Sequence, residues 1–162
     1  MNVIFIPECY ADTTLTDFFL RNKDLRIHQR GIAKVASIME KGNSKYFRIV
    51  GIIDADKRLP RYFDKFLEKN RVSNVILKHK PNSEEYLIVL QPELERFLIN
   101  CCEKSNIDLT DYDLPKNLND LINVTKNASI LNNHNFKRLL KSLQYSEDFK
   151  ALEHFISELQ HF

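Results

Sequence analysis

Residues 48–58 read RIVGIIDADKR. An apolar run stops abruptly at Asp54, a one-residue spacer and Asp56, and then Lys57 and Arg58 follow. A half-buried strand alternates polar and apolar side chains, whereas an unbroken run suits a strand covered on both faces. The run is therefore predicted to be a buried strand, and its charged end is the anomaly. Two acids spaced i, i+2 on an extended chain share a face, so Asp54 and Asp56 can both turn toward one cation.

Working outward, the other apolar runs are VIFI (3–6), NVIL (74–77) and YLIVL (86–90), and FRIVGII (47–53) contains the stretch above. Between them lie helical patterns. DTTLTDFFLRN (12–22) opens on Asp and Thr cap candidates, with Asp12 and Asp17 read as ordinary capping acids. RGIAKVASIMEKGN (30–43) closes on Gly42. LPRYFDKFLEKN (59–70) and QPELERFLINCCEKSN (91–106) each open near a proline. The six polar residues KPNSEE (80–85) are too few for a parallel crossover, so the last two strands should form a hairpin. The predicted fold is α/β: a mostly parallel sheet of about four strands with an antiparallel edge, helices on both faces, and further helices at the C-terminus. The core is expected over 1–106. Residues 107–162, polar and Asn-rich and then strongly amphipathic, are expected as a helical extension packed on that core.

Composition narrows the function classes. The chain has 162 residues, 43% hydrophobic and 28% charged, enough for one stable core. A net charge of +2 does not by itself argue for a polyanionic partner. Three cysteines, two of them adjacent, have neither disulfide nor zinc spacing. They are read as packing residues in a reducing compartment, and with no signal peptide or membrane-length apolar run the protein is expected to be cytoplasmic and to have no membrane partner. Only three glycines occur. They form no phosphate loop, dinucleotide fingerprint or nucleophile elbow.

The acids lie where an α/β sheet binds ligands, in the crevice beyond the carboxyl ends of its strands. Glu8 follows the first strand; Asp54 and Asp56 follow the second. Glu95, just inside the helix after the last strand, is a further candidate ligand beside a reading as a helix-end charge. Oxygen ligands without a Cys or His cluster favour magnesium or manganese, which bind substrate phosphates. Candidate phosphate- or nucleic-acid-binding groups are His28, Lys57, Arg58 and His79. Lys78 is a candidate for stabilising a leaving charge. Each of these basic groups taken alone also reads as a solvated surface residue.

A strand-end Glu with an Asp four residues on (ECYAD, 8–12), followed by a strand ending in DxD (IIDADK), resembles the Toprim fold, a Rossmann-like α/β domain of topoisomerases, bacterial primases and the overcoming-lysogenization-defect nucleases. The resemblance covers about residues 1–100 and is nearer to compact bacterial Toprim-like proteins, including those of phage-defence loci. It implies that Glu8 is the acid/base or metal-binding glutamate and that Asp54 and Asp56 are a metal pair. It matches Glu95 to a later P-x-x-E glutamate. It also implies DNA rather than RNA as the substrate and an ATPase as a possible partner. Many Toprim proteins have Gly after the first Glu; here it is Cys9, a bulkier group beside any bound phosphate. The leading expectation is a Mg- or Mn-dependent nuclease. The alternatives are a non-catalytic regulatory subunit that binds metal or nucleic acid, and a phosphohydrolase with Asp54 as nucleophile and Asp56 as general acid.

Overall fold

A computed structural model describes residues 2–42, 44–55 and 58–161. Asp56 and Lys57 lie outside the described residues. The sheet is built from β1 (Asn2–Pro7), β2 (Phe47–Asp54), β3 (Leu67–Val72), β4 (Val75–His79) and β5 (Glu85–Leu90). Its order is β1-β2-β5-β4-β3. β2 runs parallel to β1 and to β5, while β4 is antiparallel to both β5 and β3. The fold is thus α/β, but the sheet is mixed rather than mostly parallel, and it has five strands.

The fifth strand comes from a segment predicted as helix. Over 59–70, Pro60 starts only a short 3-10 turn at Arg61–Lys65, and the chain then enters β3. Tyr62, Phe63 and Phe66 pack on the sheet. A hairpin turn through Ser73, in the left-handed region at φ 50°, pairs Val72 with Val75. Tertiary pairing overrides the weak helical propensity of LEKNRV. β3 is exposed along nearly its whole length, and its Glu68, Lys69 and Arg71 suit a sheet edge that must not pair with another chain. The expected hairpin across 80–85 is present as β4–β5.

The helices are α1 (Tyr10–Phe19), α2 (Ile32–Lys41), α3 (Leu94–Lys104), α4 (Leu118–Thr125), α5 (His134–Leu143) and α6 (Glu147–Gln160). The interior strand β2 explains why its sequence does not alternate. Ile49 and Ile53 face a cluster with Val35, Ala36 and Met39 of α2; Val50 and Ile52 face the larger cluster. That larger cluster takes in Leu15 of α1, Phe97 of α3, Phe136 of α5 and Phe149 and Phe155 of α6. The C-terminal helices therefore share the sheet's own core. Each fully buried Phe contributes about 1.5–3 kcal/mol through lost water contact.

α2 lies very close to the sheet because of Gly51. A Cβ there would meet Leu87 Cδ2 and Met39 Sδ, each at 2.8 Å. The segment before α2 runs beside β1: Ile27 N–H donates to Phe5 O, Gln29 N–H to Pro7 O and Gly31 N–H to Glu8 O (3.0 Å). Gly31, at φ 98°, needs glycine's left-handed freedom. No helix among the described residues is long and apolar enough to cross a membrane.

Candidate metal centre

The carboxyl ends of β1, β2 and β5 share one rim of the sheet. Glu8 follows β1, and its N–H donates to Ile52 O at 3.1 Å, extending the parallel ladder by one residue. Asp54 ends β2, with its N–H donating to Glu8 Oε2 at 3.3 Å. The Asp54 Oδ1 atom accepts from the N–H of Leu94, the first residue of α3, at 3.0 Å. A helix N-terminus favours a negative charge at that place.

Asp12 is the third member. Glu8, Asp12 and Asp54 offer carboxylate oxygens that all lie within 4.8 Å of one another. Their residues are 1%, 0% and 5% exposed, so the three acids are gathered inside the rim rather than spread over a solvated face. Hard oxygen donors in this number could hold a divalent cation of the magnesium or manganese kind; a soft metal would want thiolate or imidazole.

Asp12 was read as a cap, and the structure gives that task to Cys9. The Cys9 backbone is extended (φ −139°, ψ −180°), and its Sγ accepts the Asp12 N–H at 3.4 Å. Asp12 thus falls in the first helical turn, with its side chain in the cluster. The available signal was the i, i+4 spacing of Glu8 and Asp12 across a strand-to-helix junction. Burial, and next the Asp12 charge, pushes the Cys9 thiol well up, so it stays protonated. Its extended backbone is one that any residue adopts, so the site does not require glycine there. Asp17 is no cap either: it takes Arg26 in a bidentate pair at 2.6 and 3.0 Å.

His28 lies at the same rim. Thr13 Oγ1 donates to Cys9 O at 2.7 Å, and with its single proton committed it accepts from His28 Nδ1 at 2.7 Å. The imidazole stacks on Tyr10 with ring centroids 4.5 Å apart. Burial lowers its pKa, with help from the Arg26 and Arg30 charges, so His28 is neutral at physiological pH. Arg58 is exposed just after the undescribed pair.

Three expected site residues stand elsewhere. Glu95 is buried but turns to α4, where it accepts the Thr125 hydroxyl, and it does not join the three acids. Lys78 and His79 were placed at the same rim as the acids because they end a strand. Since β4 runs antiparallel, that strand end lies at the opposite rim, with Lys78 across from Glu68 and His79 across from Tyr86. His79 is held there by Ser83 O at 2.8 Å and by stacking on Tyr86 at 4.6 Å.

Compared with known proteins, the chain finds no matching family model, no matching curated protein and no matching solved structure.

Proposed function

We propose that this protein carries out magnesium- or manganese-dependent phosphodiester chemistry on nucleic acid, DNA in preference to RNA, as a Toprim-type nuclease. The observation that supports this most is the group of three buried carboxylates, Glu8, Asp12 and Asp54, within 4.8 Å of one another at the carboxyl rim of the parallel strands. Hard carboxylate oxygens gathered this closely are the donor set that a divalent cation of this kind takes. A bound ion of this kind neutralises a phosphoryl oxygen and makes a bound water more acidic.

The chain's own residues supply the rest. Glu8 and Asp54 are the ligands fixed by backbone: the ladder bond at the Glu8 N–H and the Leu94 N–H on Asp54 set their positions without a substrate. Asp12 closes the set from α1. By its i, i+2 spacing from Asp54, Asp56 is a candidate for a further oxygen donor. Glu8 is the candidate for moving a proton at the attacking water. Cys9, at the position after Glu8, serves as the cap of α1.

The test is cleavage of plasmid and linear DNA with Mg²⁺ or Mn²⁺, beside the same reactions in EDTA. Glu8→Ala and Asp54→Ala should each lower the rate on the order of 10²–10³-fold, as loss of a charge clamp does elsewhere. Wild-type rates in both variants, or full cleavage in EDTA, would sink the assignment.

A further inference from the structure

We propose that Arg30 is a phosphate-binding residue of this centre and takes a backbone phosphate of a DNA strand beside the three acids. The inference rests on the nucleic-acid reading above and names the protein group that would hold the strand.

Position comes first. Arg30 lies between two backbone bonds to the rim, Gln29 N–H to Pro7 O at 3.2 Å and Gly31 N–H to Glu8 O at 3.0 Å. Its guanidinium carbon sits 5.4 Å from the centroid of the Tyr10 ring. Tyr10 in turn is two residues from both Glu8 and Asp12, and His28 stacks on it. A guanidinium over an aromatic ring is held through its face, so its N–H groups stay available at the edge.

Pairing comes next. Among the described residues Arg30 has no carboxylate partner, and its side chain is exposed. Arg26, on the same segment, is committed to Asp17 at 2.6 Å. Arg30 is thus a cation kept on a ring while three acids stand close by in the fold. A planar fork with open N–H edges matches a phosphate bidentately, which an ammonium cannot do. His28 is neutral in this setting, which leaves Arg30 as the permanent charge of the Tyr10–His28–Arg30 group.

The test is the anisotropy of a short fluorescent DNA strand titrated in EDTA at several salt concentrations, with Mn²⁺ binding followed separately by calorimetry. Arg30→Ala should weaken DNA binding about tenfold and reduce the salt slope by about one, the signature of one lost phosphate contact. Its Mn²⁺ affinity and melting temperature should stay those of the wild type. Arg30→Lys should keep the salt slope and recover only part of the affinity. Inorganic phosphate as competitor should displace the strand only at concentrations far above those of DNA. Displacement by phosphate as readily as by unlabelled DNA would overturn the DNA assignment. Wild-type DNA affinity and slope in Arg30→Ala, or no DNA binding by the wild type, would overturn the proposal and leave the metal centre standing. Absence of Mn²⁺ binding with an Arg30-dependent salt slope would do the reverse.

Discussion

The two rims of this sheet gather their acids differently. At the amino rim of β5, buried Glu85 is met by Lys80 at 2.7 Å and by the Tyr62 hydroxyl. Next to it Arg48 binds Glu84 at 2.7 Å and Leu159 O at 2.9 Å, tying the end of α6 to β2. There each acid has a cation, and the result is a fastening. At the carboxyl rim three buried acids, Glu8, Asp12 and Asp54, bring carboxylate oxygens within 4.8 Å of one another, a donor set that could hold a cation. A buried acid held by one cation is a fastening; buried acids gathered on one another are where a functional site is looked for first.

Four substitutions can break or sharpen that contrast. The largest effect is expected from Glu85→Ala, which strands Lys80 and Tyr62 at the fastening rim. Urea unfolding should show a loss of about 3 kcal/mol, as for a broken buried pair, with Mn²⁺ affinity of the folded protein unchanged. Asp12→Asn should act the other way round, cutting Mn²⁺ affinity about 10- to 100-fold by calorimetry with little change in unfolding free energy. A normal Mn²⁺ isotherm in Asp12→Asn would remove that residue from the centre.

Tyr62→Phe should cost about 1–2 kcal/mol at neutral pH, because Glu85 loses a donor. It also carries a pH signature. Burial, and then the Glu85 contact, pushes the Tyr62 hydroxyl up from 10 to about 12. The folded state therefore holds this proton more tightly than the unfolded chain does. Its contribution is full below pH 10 and is lost as pH rises from 10 through 12. Chemical unfolding across that window should fall more steeply for wild type than for Tyr62→Phe. The smallest effect is expected from Lys78→Ala: DNA cleavage within about twofold of wild type, since its rim is the wrong one for chemistry at Glu8. A large loss there would show that the two rims are not separate in function.

Much of this was legible in the sequence, and what was missed has definite causes. The unbroken run ending at Asp54 gave a two-faced buried strand, and Glu8 gave its neighbour, because strand-end acids need only local reading. The hairpin at 80–85 was legible too, yet its consequence for Lys78 and His79 is global: once β4 reverses, the end of that strand changes rim. β3 escaped because LEKNRV has no strong period of its own and becomes a strand only by pairing with β4. Asp12 escaped because a thiol is an unusual helix cap, so the acid in the first turn looked like the cap itself.

Gly51 extends the site's dependence inward. The missing side chain lets Met39 and Val35 rest almost on the β2 backbone, and the helix that carries them begins at Gly31, whose N–H holds Glu8 O. A single methyl added at position 51 would have to displace the ends of Leu87 and Met39 inside a closed core, and through Met39 it would press on this helix. The glycine therefore acts as a spacer gauge: a hidden atom count at mid-strand bears on how the helix behind Gly31 seats, and through Gly31 on the bond that holds Glu8 O at the rim.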